Sequence, residues 1–293
     1  MPGGASRQTG AVSDLRADVL ATLADLPGVP AAVERARDAG TALRRHPAMR
    51  RRWAEVRLRA GLEVARGSAT LDGARVPTER VRAVVAGARD DDPVALVVRG
   101  AVRAQATVEH LMPALGAAGG TSGAFAGLPL GQLLARLHAV AAAGRVPDDE
   151  LGRPRGDRPT ADLAGLGPAP GGAEVTDRLA ALAELTRSTS APAAVLAALV
   201  HGELLAVRPF TTANGVVARA AARLVVTAGG LDPTGCALAD CVWADSPLAY
   251  QAAAAGFVTG EPDRVAHWLV LCTDAVADGA HRATTLADEV LTN

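Results

Sequence analysis

Lysine is absent from this sequence, and aromatic residues make up only 2% of it. Every one of its 30 basic residues other than histidine is therefore an arginine. With abundant Ala, Gly and Pro, this marks a GC-rich coding bias, expected of a bacterial source, before it says anything about function. The scarcity of aromatics and of alternating Val and Ile runs argues against strands. Three cysteines, Cys236, Cys241 and Cys272, are too few and wrongly spaced for a disulfide framework. A lone C-x4-C without a second pair does not make a zinc site. The cysteines read as reduced thiols in helices, in a reducing cytoplasm. The first residues, MPGGASRQTG, lack the apolar stretch of a signal peptide, and no apolar run approaches the ~20 residues that span a bilayer. A net charge of −1 gives no global reason to expect nucleic acid or an anionic membrane as partner. The expectation is a soluble, cytoplasmic protein with no metal site.

What is present is Ala, Val and Leu, within a hydrophobic share of 49% over 293 residues. That is enough for a sizeable core, and Ala and Leu favour helices. Residues 1–12 read as a disordered tail, 13–115 as an N-terminal helical region and 116–293 as the core. Ser13 is a candidate N-cap, and the pattern is helical to about Gly67, with Leu15, Val19, Leu20 and Leu23 on one face. The basic stretch Arg44-Arg45-His46-Pro47 with Arg50 to Arg52 reads as a solvated helix face, since no aromatic or Gly-rich reader accompanies it. A turn at Asp72-Gly73 precedes a helix from Pro77 to Gly87. Asp90-Asp91-Asp92-Pro93 reads as the cap of a helix carrying Val94 to Leu111. The Gly-rich stretch 116–127 matches neither a dinucleotide fingerprint nor a P-loop, which argues against a Rossmann dehydrogenase or a P-loop enzyme. Further helices are expected over Leu130–Ala143, Val175–Arg187, Ala191–Val207, Asn214–Ala228, Ser246–Ala255 and Arg264–Leu291. Between them, Gly144–Gly172 reads as a long loop with room for a short hairpin, and a polar break follows Ala228.

The segment 191–230 carries the chemistry. Ser190 reads as an N-cap with Pro192 in the first turn, and the helix they open is apolar on nearly every face, hence central. It ends at Pro209. A short loop, Phe210-Thr211-Thr212-Ala213, then runs into Asn214-Gly215 at the start of a second helix, on which Arg219 and Arg223 share a face. Free amides, a positive helix end and a glycine make such a start a natural anion cradle, although a simple N-cap accounts for the same pattern.

The stretch HGELLAVRPFTTANGVVAR, His201 to Arg219, resembles the signature of the Fic (Fido) family, H-x-F-x-[DE]-G-N-G-R-x-x-R. Phe210, Asn214, Gly215 and Arg219 match. Arg208 stands where the family has its histidine, Thr212 where it has an acid, Ala213 in place of Gly and Val216 in place of the first Arg. Gly144–Gly172 sits where the family's flap hairpin belongs. Pro247 to Tyr250 and the stretch from Gly260 to Leu269 resemble its closing helices. Ser68 to Gly73, S-A-T-L-D-G, resembles its inhibitory motif [ST]-x-x-x-E-[GN], with Asp for Glu. The resemblance covers about residues 50–280.

It implies an all-helical, Fic-like bundle with a short β-hairpin flap, an inhibitory-type set Ser68, Asp72 and Gly73, and a nucleotide site at Phe210, Asn214, Gly215 and Arg219. In active members the histidine is the base, the acid holds Mg²⁺ on the nucleotide, and the last arginine pairs with the terminal phosphate. Arg208 cannot serve as that base, and Thr212 offers no charge to Mg²⁺. His201, about 10 Å from Arg208 along the same helix, reads as a core histidine. The leading expectation is a degenerate relative of the adenylyltransferases (AMPylases) that binds ATP, another nucleotide or a small phosphorylated ligand, with Mg²⁺ in doubt and little AMP transfer. An active transferase of unusual mechanism, with a protein target at the 144–172 loop, and a purely structural helical protein are the alternatives.

Overall fold

The computed structural model describes residues 19–88, 92–112, 115, 125, 127–189 and 191–292. The expected tail at 1–12, the caps Ser13 and Ser190, Asp90 and Asp91, and most of the Gly-rich stretch lie outside them. The described residues are helical, without a sheet. After a helical stretch at 19–24 come α1 (Val29–Arg45), α2 (Pro47–Arg51), α3 (Trp53–Leu71), α4 (Thr78–Val85), α5 (Pro93–Leu111), α6 (Leu130–Ala141), α7 (Gly172–Ser188), α8 (Ala193–Val207), α9 (Asn214–Ala228), α10 (Ala239–Asp245), α11 (Pro247–Val258) and α12 (Pro262–Thr292). None of the described helices is long and apolar enough to cross a membrane.

The apolar helix α8 is the axis of the core. Val195, Val200, Leu204, Leu205 and Val207 are buried, and α8 packs against α1, α7, α9, α11 and α12. With so few aromatics, close approach depends on small residues. A Cβ on Gly202 would stand 2.7 Å from both Phe257 and Trp268, so glycine lets α11 and α12 press their rings onto α8. The Trp268 indole N–H then donates to the Ala198 carbonyl at 2.8 Å. Asp92 accepts the Ala95 amide at 2.9 Å and so caps α5.

Three expectations need correction. No hairpin forms in 144–171: the segment is irregular, with 3-10 turns at Asp148–Glu150 and Ala164–Leu166 and one isolated bridge between Ala143 and Val146. Its five prolines, Pro147, Pro154, Pro159, Pro168 and Pro170, remove amide donors that a ladder would need. Its backbone bonds go to the loop before α9 instead, from the Arg155 amide to the Pro209 carbonyl and from the Ala161 amide to the Thr211 carbonyl, both at 2.8 Å. The break after Ala228 contains α10, too short at seven residues to show a period. Finally, α8 begins at Ala193 with Pro192 as its N-cap, two residues beyond the expected cap.

Candidate functional site

The loop between α8 and α9 is built under strain. Among the described residues, the non-glycine positions with positive φ are Leu163 (57°), Arg208 (43°) and Ala213 (60°); the last two lie in this loop, and Leu163 in the 144–171 segment bonded to Arg208. Each left-handed residue costs about 1–2 kcal/mol. Arg208 ends α8 and Ala213 precedes α9, so the chain reverses within five residues. Asn214 pins the turn: its Oδ1 accepts the Phe210 amide and its Nδ2 donates to the Phe210 carbonyl, both at 2.9 Å. Phe210 is buried and stacks on His138 with ring centroids 3.9 Å apart. His138 Nδ1 accepts the Gly152 amide at 3.0 Å. Burial holds its pKa down to about 4, with the Arg145 cation adding to the effect.

Arg219, one and a half turns into α9, is buried in the core. Its Nε donates to Ser68 Oγ at 2.8 Å, and its Nη2 donates to the Ser68 carbonyl at 2.9 Å and to Asp72 Oδ1 at 2.5 Å. Asp240 stands 3.6 Å behind. Burial pulls the Arg219 pKa down, but Asp72, with Tyr250 and Asp240, more than reverses this and raises it. Asp72 is the C-cap of α3, and Gly73, at φ 89°, turns the chain away just beyond it. Gly215 lets the carboxylate in: a Cβ there would be 2.5 Å from Asp72 Oδ1 and 3.0 Å from Arg219 Nη1.

Arg208 and Thr212 both bond to the 144–171 segment. The Arg208 guanidinium donates through Nη1 to the carbonyls of Leu163 (3.2 Å) and Gly167 (2.8 Å). It therefore braces the 144–171 loop as well as lining the site. Burial lowers its pKa, against the pull of Asp162, but an arginine carries no acceptor lone pair for a proton. Thr212 Oγ1 accepts from Arg145 Nη2 at 3.0 Å. His201 is buried, 2.8 Å from the Tyr250 hydroxyl and enclosed by Trp243 and Trp268. Burial, with Arg219 nearby, pushes its pKa well below the usual value, which marks it as a neutral core residue.

The structure adds residues that no motif announced. Asp162 Oδ2 accepts the Asn214 amide at 2.8 Å, and its Oδ1 accepts from Asn214 Nδ2 at 2.8 Å and from Thr160 at 2.6 Å. A carboxylate thus already sits at the start of α9. Arg155 is buried in the same loop and donates to the carbonyls of Arg208, Arg158, Gly156 and Pro170. Arg145, His138, Arg155 and Asp162 are 52 to 76 residues from Asn214 along the chain, with no spacing to link them to it.

Thr212, where the family's acid would stand, offers Mg²⁺ no carboxylate. The residue facing the cradle from the loop is a neutral threonine bonded to a guanidinium. Among the described residues, no group of three or more His, Cys, Asp or Glu could hold a metal ion.

No family model matches the sequence, and no curated protein matches it. Solved structures do. A Fic family protein from Desulfovibrio desulfuricans is 20% identical with a TM-score of 0.70, over 88% of this chain and 74% of that one. A Fic domain containing signaling protein from Bacteroides thetaiotaomicron is 14% identical with a TM-score of 0.63, over 88% and 98%. A Fic-1 fragment from C. elegans is 18% identical with a TM-score of 0.56, over 99% and 79%. On these similarities, and with its apolar α8 running through a tight loop into α9, this chain has the Fic fold.

Proposed function

We propose that this Fic-fold protein binds a nucleotide or another phosphorylated ligand at the N-terminus of α9, with little or no AMP transfer. The observation that carries the reading is the pair of carboxylates the chain itself places there. Asp162 sits on the Asn214 amide and Asp72 on Arg219, so both halves of the cradle select negative charge. A helix end with its free amides and a buried guanidinium would hold phosphate oxygens in the same way. The strained backbone at Leu163, Arg208 and Ala213 supports a site kept for a purpose.

Chemistry is where the residues run short. A general base contributes roughly 10²–10⁴-fold to a transfer, and neither Arg208 nor the buried, neutral His201 offers one at the loop. Arg145 beside Thr212 supplies positive charge at the mouth of the cradle, which supports ligand binding independent of a divalent ion.

A thermal-shift series tests the reading with ATP, ADP and inorganic pyrophosphate, each with Mg²⁺ and with EDTA. Saturation at 100 times Kd should stabilise the protein by about 2.7 kcal/mol, equally with and without the metal, and the shift should vanish in Arg219→Ala. Tagged ATP should leave no label on the protein or on added lysate. A shift that persists in Arg219→Ala, or robust Mg²⁺-dependent labelling, would overturn the reading. The alternative that the loop is purely structural draws on the same Asp162 contact, and it requires that none of the three probes bind.

A further inference from the structure

Asp162 reaches the start of α9 from 52 residues away. Helix ends are normally capped by the residue just before them. Here that residue is Ala213, whose methyl has no oxygen to offer. The whole 144–171 segment is drawn over the α8–α9 loop to bring the carboxylate in. Beside it, Leu163 is forced to φ 57°, and the Ala161 amide binds the Thr211 carbonyl at 2.8 Å.

We propose that Asp162 is an internal competitor for the anion site, and that the 144–171 loop is a tethered latch which an incoming phosphorylated ligand must lift. The proposal rests on the reading of the cradle as an anion site and adds to it what guards the entrance. Asp162 holds two donors of the cradle, the amide and the Nδ2 of Asn214, so a phosphate oxygen can take them only when the carboxylate leaves. This contact comes from the loop, whereas Asp72 occupies Arg219 from the end of α3.

The latched state is poised to open. Burial pushes the Asp162 carboxyl up from its usual range, against the hydrogen bonds from Thr160 and Asn214, and the Asp72 charge adds to the push. Two carboxylates near one another at a single anion site repel, which weakens the hold of Asp162 on the helix end. Arg155 keeps the base of the loop in place through its bonds to the Arg208, Arg158, Gly156 and Pro170 carbonyls. The lifted part is therefore the stretch around Thr160 to Leu163, while the anchored part stays. Lifting it also takes the Leu163 carbonyl from Arg208 Nη1, which leaves that guanidinium held by Gly167 alone on this loop and turns part of it to the ligand.

The test is calorimetric titration of inorganic pyrophosphate into the full chain and into Asp162→Ala, Asp162→Asn and Asp72→Ala, with amide exchange followed in parallel. Loss of a charged hydrogen-bond acceptor from the cradle should tighten pyrophosphate binding by roughly 10-fold or more in Asp162→Ala. Asp162→Asn keeps the shape and an acceptor oxygen but loses the charge, so it should lie between that variant and the unmodified protein. In the unmodified protein, saturating pyrophosphate should speed exchange of the Ala161 amide. Pyrophosphate binding that tightens in Asp72→Ala but is unchanged or weaker in both Asp162 variants would overturn the latch and leave the anion site standing. Unchanged exchange at Ala161 on saturation would overturn it equally. No binding in any of the four proteins would bring down the anion site and the latch together.

Discussion

Asp72→Ala removes one partner of a buried ion pair and leaves the other in place. The side chains of Arg219 and Asp72 are 1% and 7% exposed, so neither has water to fall back on. Breaking such a pair from one side costs about 3–5 kcal/mol, because the orphaned charge stays buried. Asp240 at 3.6 Å and the two acceptors of Ser68 remain with Arg219, so the loss should sit at the lower end, about 3 kcal/mol. At roughly 2–4 °C per kcal/mol for a chain of 150–250 residues, that is a fall of roughly 6 °C or more in Tm. The assay is urea and thermal unfolding of Asp72→Ala, Arg219→Met and the double variant. The double variant should be more stable than the sum of the single losses, because Asp72 and Arg219 no longer strand each other's charge. Pyrophosphate should restore more stability to Asp72→Ala than it adds to the unmodified protein, since it meets a guanidinium without its carboxylate. A loss below about 1 kcal/mol in Asp72→Ala, or simple additivity in the double variant, would refute the reasoning and reduce Asp72 to a turn residue.

Gly215→Ala should cost about 1–3 kcal/mol, because its Cβ would press on Asp72 and Arg219, and it should abolish pyrophosphate binding by calorimetry. Arg155→Ala should raise amide exchange across 144–171 while circular dichroism of the helices stays unchanged, since the bonds of Arg155 run to loop carbonyls and to the end of α8. The two buried histidines set an acid limit. His138 is held down to about 4 and His201 well below its usual value, while in the unfolded chain both titrate near 6.5. The unfolded state therefore binds more protons as pH falls through 6.5, and stability from these groups is present above that value and lost progressively towards 4. The urea midpoint should drop over this window, and more shallowly in His138→Phe; a midpoint flat from pH 7 to 5 would contradict the burial of both rings.

Much of the helical order was written locally. The apolar faces of α8 and the Asn-Gly start of α9 lie in consecutive residues, as does the Asp-Gly turn that ends α3. Periodicity and capping are properties of a few turns, so a reader of the chain can find them. The resemblance to the Fic signature was legible for the same reason, as its twelve positions run without a break from Arg208 to Arg219. The α10 helix escaped because seven residues do not establish a period.

The sequence alone determined a helical core built from Ala, Val and Leu, and it determined a loop that enters a helix at Asn214. It also determined that Arg208 and Thr212 bring neither a base nor a carboxylate to that loop, because those are properties of the side chains themselves. Only the tertiary structure decided what faces the helix end. Asp162 and Arg155 come from a Pro- and Gly-rich loop in which no acid or arginine stands out from its neighbours, and Arg145 lies 69 residues before Asn214. Their placement follows from how α6 and α7 pack beside the core and where the loop between them must cross. That crossing is a long-range property of the folded chain, and no local pattern of charge or hydropathy encodes it.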